Sequence, residues 1–339
     1  MNDTKRILII RPRFLGDIVL ATGLAGMLKK NWPQAKVVYL VEKQFVSILE
    51  SHPWIDEVLS LDIGKKNNPF YTMKLLSDIR SMKFDVILDL FVNPRTAQLS
   101  FLSRVPVRIG LNRRGRSWAY TKFAESQHLA QLSKRSVIDD YLGYLYALGI
   151  STSLGYSTLI PVTHTARQDA LSIINAKRSK ALQHLVALAP GASWPSKHWG
   201  IHRFIDLAVQ LEKNGIQSIF VLGPKDQAEV SQLNQINHPS WIIVNNPSLK
   251  ILGALIQQAE ILISNDAGPM HIGPAVGTTT LGIFGPGNPE IWFPYAVPHQ
   301  SIHAVVPCSF CGMDFCSLMA CMDHITVQQL ISKISQILS

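Results

Sequence analysis

Along most of the chain, short runs of aliphatic and β-branched residues alternate with longer stretches in which apolar residues recur at helical spacing. In the first half the runs predict strands over Arg6–Ile10, Val37–Val41, Glu57–Leu61, Val86–Leu90 and Val107–Leu111. The spaced stretches predict helices over Ile18–Lys30, Val46–Ser51, Tyr71–Met82 and Thr96–Ser103. Strands apolar on both faces, with helices between them, make a parallel sheet covered on both sides. The second half repeats the scheme. Strands are expected over Leu185–Ala189, Ser218–Leu222, Ile242–Asn245, Ile261–Ser264 and Thr280–Phe284, and helices over His202–Asn214, Gln227–Gln235, Lys250–Ala259 and Met270–Val276. The polar stretch between Gly155 and Lys180, which contains Pro161, reads as a domain junction. A last helix is expected over Thr326–Leu338. The pattern is α/β: two doubly wound, Rossmann-like domains, 1–160 and 161–325, facing a central cleft, with a terminal helix in 326–339 packing back on the first domain. Ligands of such sheets bind beyond the carboxyl ends of the strands, so the cleft is the expected active site.

Composition supports two domains. A chain of 339 residues is long for one core, and with 47% hydrophobic and 16% charged residues it has the means to bury two. The net charge of +9 points to an anionic partner such as phosphates, nucleic acid or a membrane surface. Charge alone is equally compatible with a protein that is merely soluble and basic. Met1 to Lys5 lead into the first strand without an apolar leader, and no apolar run has the length of a bilayer span. The cytoplasm is therefore the expected compartment. All four cysteines lie between Cys308 and Cys321, unlike the spread of a disulfide scaffold.

Three stretches at strand ends carry candidate chemistry. Ser264 to Ile272, "SNDAGPMHI", leaves a strand and opens a helix, a place where backbone amides and the helix dipole bind phosphate. Asp266 cannot itself bind phosphate but can cap the helix. Phe284 to Pro289, "FGPGNP", ends the next strand, and two glycine-rich loops side by side suit a nucleotide better than a bare helix cap. Ala189 to Trp199, "APGASWPSKHW", offers the Ser193 hydroxyl and the Lys197 point charge for phosphate. Near the N-terminus, the turn "RPRFLGD", Arg11 to Asp17, joins strand to helix with two arginines, one glycine and one aspartate. Neither half opens with GxGxxG, which disfavours a nicotinamide dehydrogenase.

Together, "RPRFLGD", "PGASWPSKHW", "LGPKD" and "NDAGPMHIGPAVGTTTLGIFGPGNPEIWFP" resemble the ADP-heptose:lipopolysaccharide heptosyltransferases, from Arg6 to the final helix. The resemblance implies a GT-B fold and an inverting, metal-independent transfer from an ADP-activated heptose to the inner core of lipopolysaccharide. It makes Asp17 the general base that takes the acceptor hydroxyl's proton. Closure of the cleft would then set base and leaving diphosphate on opposite sides of the sugar. By residues alone, Asp17 serves equally well as the N-cap of Ile18–Lys30. On the donor side the resemblance carries Ser193 and Lys197 to phosphate contacts. Gly268, Pro269, Met270 and His271 become the diphosphate loop, which Asp266 starts. Lys225 and Asp226 compete for the ribose hydroxyls.

Arg11, Arg13 and Arg95, with the cluster Arg113, Arg114 and Arg116, suit the carboxylates and phosphates of a lipopolysaccharide core, although the cluster could equally be a solvated loop. The expected partners are an ADP-sugar and an anionic lipopolysaccharide acceptor at the inner face of the cytoplasmic membrane, with no nucleic acid. No cofactor is expected for catalysis. Cys308, Cys311, Cys316 and Cys321 could hold a structural zinc, or pack a loop as reduced thiols. Two other readings stay open. One is a GT-B enzyme with another nucleotide sugar, a hexosyltransferase or an epimerase. The other is a non-catalytic nucleotide- or glycan-binding module.

Overall fold

The computed structural model describes residues 5–112, 115–124, 136–179, 181–293 and 295–338. The chain divides into two units, Met1–Pro161 and Val162–Ser339. In the first, β1 (Arg6–Ile10), α1 (Leu15–Asn31), β2 (Lys36–Glu42), α2 (Val46–Leu49), β3 (Glu57–Leu61), α3 (Pro69–Ser81), β4 (Val86–Asp89), α4 (Pro94–Ser103), β5 (Val107–Gly110), β6 (Lys122–Phe123) and α5 (Val137–Ala147) follow in order. The sheet runs β3-β2-β1-β4-β5-β6, all parallel. Chain order reverses between β1 and β4, where Ile10 lies opposite Asp89. β1 and β2 are buried almost throughout, because helices cover both sheet faces.

The second unit contains α6 (His164–Asn175), β7 (His184–Ala189), α7 (Ile201–Lys213), β8 (Ile216–Leu222), α8 (Gln227–Ile236), β9 (Ile242–Asn245), α9 (Leu249–Gln258), β10 (Ile261–Asn265), α10 (Gly268–Val276), β11 (Thr279–Phe284), α11 (Pro289–Trp292), β12 (Gln300–His303), α12 (Ala320–Asp323) and α13 (Val327–Leu338). Its sheet runs β12-β11-β10-β7-β8-β9, again all parallel, and reverses between β7 and β10. Trp199, Phe204, Phe220 and Trp241 fill the core between this sheet and its helices.

Three expectations change. The division between the units falls within the polar stretch assigned to the junction, after Pro161, but beyond it the stretch is not a linker: it forms the helix α6, which packs on α9. Thr163 caps it by accepting the Ala166 N–H at 3.2 Å, and Ala166, Ala170 and Ile174 make its buried stripe. The terminal helix α13 lies against α7 within its own unit, with Leu330 and Ile334 buried there. The structure also adds β6 and β12, short strands at sheet edges, and α5, whose start Ser136 and Asp139 close as a capping box.

Candidate active site

In the first unit the loops after β1 and β4 leave the carboxyl edge at the point of reversal, where open sheets bind ligands. The Arg11 guanidinium is only partly exposed. It donates to the Leu90 carbonyl at 2.8 Å and forms an ion pair with the Asp17 carboxylate. Asp17 is not the helix cap: α1 begins at Leu15, its cap is Phe14, and Asp17 sits in the first turn, where the dipole favours an acid. Arg13 reaches outward, with Nε 3.8 Å from the buried Glu42 carboxylate. Both guanidinium groups lie near the Phe91 ring, at 5.4 and 5.6 Å from its centroid.

The second loop is held from below by Asp89. Its carboxylate accepts the N–H groups of Phe91 and Val92 at 3.1 and 2.9 Å and the Tyr120 hydroxyl at 2.8 Å. Burial raises the pKa of Asp89, and these bonds offset only part of the rise. Asn93 and Thr96 form a capping box that starts α4 and puts Arg95 in its first turn. There the dipole disfavours a cation. Arg113 and Arg114 lie outside the described residues. Arg116 donates to the Val92 carbonyl at 3.1 Å, so it braces this loop.

In the second unit the loops after β7, β10 and β11 share one sheet edge. Lys197 Nζ lies 2.6 Å from Asp266 Oδ2 and 4.7 Å from the centre of the Trp194 ring. Asp266 therefore anchors the lysine and does not cap α10, whose N-cap is Ala267. A Cβ on Gly287 would fall 2.2 Å from Asp266 Oδ2, so only glycine lets the third loop close on this pair. Ser193 is exposed in the first loop. Gly268 and Pro269 open α10 with partial exposure, and Pro269 has no N–H to offer.

Two of the expected donor residues face inward. Met270 is fully buried and packs with Phe284 and Phe293, and its N–H bonds to the Ala267 carbonyl, so it is a core residue and not a ligand contact. His271 is buried, with Nδ1 3.1 Å from the Tyr295 hydroxyl. Burial, and then the Lys197 charge, lower its pKa to about 3, so it is a neutral imidazole. Of the ribose candidates, Lys225 is exposed, whereas Asp226 is buried and accepts the Gly223 N–H at 2.7 Å. A Cβ on Gly191 would fall 2.2 Å from Asp226 Oδ2, so Asp226 lies directly under the first donor loop.

Residues 72–319, well over half of the chain, match the family Glyco_transf_9, "Glycosyltransferase family 9 (heptosyltransferase)". The chain belongs to this family. This glycosyltransferase is 26% identical over 295 residues to lipopolysaccharide heptosyltransferase 3 of Escherichia coli, covering 84% of each chain. It is 21% identical to lipopolysaccharide heptosyltransferase 2 of Salmonella typhimurium, again covering 84% of each. Its fold is similar to that of a family 9 glycosyl transferase from Veillonella parvula, with a TM-score of 0.87 at 23% identity over 100% of this chain and 98% of that one. It is also similar to Escherichia coli ADP-heptose heptosyltransferase II, with a TM-score of 0.80 at 19% identity over 98% of each. The fold is GT-B, as the sequence motifs implied.

Sequence reasoning passed over two residues that hold the loops after β7 and β11 of the glycosyltransferase in place. Asn265, fully buried at the end of β10, donates to the Pro190 carbonyl at 2.6 Å and accepts the Trp199 N–H at 3.3 Å, tying both ends of the first donor loop. Ser196, buried beside Lys197, donates to the Met313 carbonyl at 2.7 Å. The Gly312 N–H donates to the Pro286 carbonyl at 2.9 Å, so the cysteine-bearing segment touches two donor loops. Its thiols do not meet the zinc expectation: among the described residues no group of three or more His, Cys, Asp or Glu is arranged to hold a metal ion. Cys308 and Cys311 are exposed, Cys316 is half-buried and Cys321 is buried. Burial, then the nearby Cys308, raises the pKa of the Cys321 thiol.

Proposed function

We propose that this glycosyltransferase transfers a heptose from ADP-heptose to the inner core of lipopolysaccharide with inversion, Asp17 acting as general base. The observation that carries the reading is the pairing of Asp17 with Arg11 at the reversal point of the first sheet. The guanidinium fixes the carboxylate, and Asp17 is free of any capping duty. As the acceptor oxygen attacks the anomeric carbon, Asp17 takes its proton. The diphosphate leaves with its charge met by Lys197, by the start of α10 and by the backbone of the 285–287 loop. Asp266 holds Lys197 for this task. Asp226, under the first donor loop, suits the ribose hydroxyls better than the exposed Lys225. Arg13 and Arg95 meet the anionic groups of the acceptor. Donor and acceptor chemistry are drawn from relatives: those named above are lipopolysaccharide heptosyltransferases, and one solved structure similar in fold is an Escherichia coli heptosyltransferase with ADP-2-deoxy-2-fluoro heptose.

Among the described residues no helix is long and apolar enough to cross a membrane. A lipid acceptor therefore brings the enzyme to the membrane as a peripheral protein, at the inner face of the cytoplasmic membrane. The deciding experiment incubates the enzyme with a panel of ADP- and UDP-sugars and a truncated core acceptor and reads product mass. One added heptose, from ADP-heptose only, is expected. Transfer of a hexose, or turnover of a UDP-sugar without any acceptor, would replace this reading with a hexosyltransferase or an epimerase. Excess EDTA should leave the initial rate intact, since the phosphate charge is met by Lys197 and backbone amides and the sequence has no Asp-x-Asp clamp. Immediate loss of rate, restored by Mg²⁺, would overturn the metal-independent step.

A further inference from the structure

Between α3, α4 and the carboxyl edge of the first sheet lies a cavity of about 470 Å³, within the size range of small-molecule sites. Leu40 and Leu61 from strand ends, Leu75 and Leu76 from α3, and Leu99 and Leu102 from α4 make its wall. We propose that it receives an acyl chain of the lipid acceptor, whose anionic head is held at the mouth by Arg13, Arg95 and Lys66; the inference rests on the reading of a lipopolysaccharide acceptor.

Three observations carry it. First, the six leucines, with Ile63 and Phe91, make most of the wall, and hydrocarbon gains by leaving water against them, whereas the polar lining is limited to Asn67, Thr72, Asn93, Thr96 and Gln98 beside the charged groups. From Pro94 to Leu102 along α4 the cavity follows about 12 Å of helix, the reach of a chain and not of one ring. Second, the mouth is cationic. Arg13, Arg95 and Lys66 face the single carboxylate Glu42, which Arg13 already approaches at 3.8 Å. Arg95 Nη2 is buried and has no hydrogen-bond partner among the described residues, a donor that an anionic head would satisfy. Third, the start of α3 puts two large apolar side chains in water: Phe70 is 80% exposed and Met73 67%. Beyond them the exposed face turns polar with Lys74, Asp78 and Arg80, so the start of the helix is the part that fits contact with a lipid surface.

The test has a binding arm and a kinetic arm. Dodecyl phosphate, titrated calorimetrically below its micelle concentration, should bind the wild-type protein, and inorganic phosphate should bind at least about tenfold more weakly, since only two or so buried methylenes supply that factor. Leu102 is half-exposed, so Leu102→Trp fills the cavity without opening the core and should abolish dodecyl phosphate binding. In the kinetic arm, KM for an acylated core acceptor should lie below that for the fully deacylated one, and Leu102→Trp should erase the difference. Retained dodecyl phosphate binding in Leu102→Trp, with loss in the double variant Phe70→Ser/Met73→Ser, would mean surface adsorption and overturn the cavity site. So would equal KM values for both acceptors in the wild type. Tight dodecyl phosphate binding by a protein that transfers heptose to neither acceptor would support the cavity while sinking the acceptor reading.

Discussion

The two units present their sheet edges in different ways. In the first, the ligand-facing groups are long charged side chains held by one another: Arg11 with Asp17, Arg13 with Glu42, both arginines over Phe91. Beneath them is a leucine-lined space that no side chain fills. In the second, the loops are held from below by buried polar groups, Asn265, Ser196 and Asp226, and the glycines at 191 and 287 bring backbone against carboxylate. There the long charged side chain among the loops, Lys197, is tied to the buried Asp266. A diphosphate has one shape and one charge pattern, and a fixed backbone cradle suits it. An acceptor with several anionic groups and a lipid end suits movable side chains and open apolar space.

If the division is real, the largest effect comes from the one group of the first unit that does chemistry. Asp17→Asn should lower kcat by ~10²–10⁴-fold, the usual contribution of a general base. ADP binding, the business of the second unit, should not change. Steady-state kinetics beside calorimetric titration with ADP checks both. Near-normal turnover in folded protein would make the Arg11–Asp17 pair a structural brace only.

Lys197→Ala tests the other side. Loss of a charge-assisted bond to phosphate costs roughly 1.5–3 kcal/mol, so ADP affinity should fall by about 10- to 150-fold. The acceptor KM should hold. Unchanged ADP affinity would move the donor cation to Lys225, which is exposed.

Much of this division was legible in the sequence, because the strands are apolar runs and the four loops that matter follow them directly. The loops after β1, β7 and β10 then fell at the two reversal points, and the loop after β11 beside one of them. What escaped has physical reasons. The inner face of α6 is built on alanines, which give little apolar contrast within a polar stretch. β6 and β12 are short edge strands of two and four residues, too short to show a periodicity. Met270 was read as a ligand contact with its neighbours in the motif, yet one step along a helix start turns a side chain into the core. The Lys197–Asp266 pair joins residues far apart in the chain, and the cavity is lined by leucines that the pattern correctly assigned to a core. Nothing in a sequence says that a core is left open at one end.

Each unit also buries a histidine, and the two should differ with pH. Burial lowers His271 from the ordinary value of 6.5 to about 3, with Lys197 adding to the shift. Burial lowers His52 to about 4, partly opposed by its bond to the Leu159 carbonyl. Both are neutral when folded and protonate in the unfolded chain below pH 6.5, so the unfolded state binds more protons. Stability is therefore full above about 6.5 and falls as pH drops towards 4 for His52 and towards 3 for His271, by ~1.4 kcal/mol per pH unit for each. Denaturant titrations at pH 6 and pH 5 should show His271→Gln flattening that slope by about this amount. Lys197→Ala removes the second of the two causes, so His271 should protonate in the folded chain at a higher pH and the acid loss of stability should level off sooner than in the wild type. A slope untouched by His271→Gln would mean that the site opens to water before the chain unfolds.

The smallest effect is the sharpest test of the idea that the donor loops are held from below. Ser196 meets no solvent, and its hydroxyl bonds to Met313 at 2.7 Å, one residue from the lysine it would position. Ser196→Ala leaves the Met313 carbonyl without that donor, and the loop can relax to find water. The expected result is a rise of about three- to tenfold in KM for ADP-heptose with kcat nearly unchanged, because the substitution shifts a binding group and not the base. A double-mutant cycle with Lys197→Ala separates positioning from general loosening. If Ser196 acts through Lys197, the second substitution adds little once the lysine is gone, and the interaction term is as large as the Ser196 effect itself. If the two effects simply add, the serine stabilises the segment without aiming the lysine, and the contact between the cysteine-bearing segment and the donor loops is packing alone.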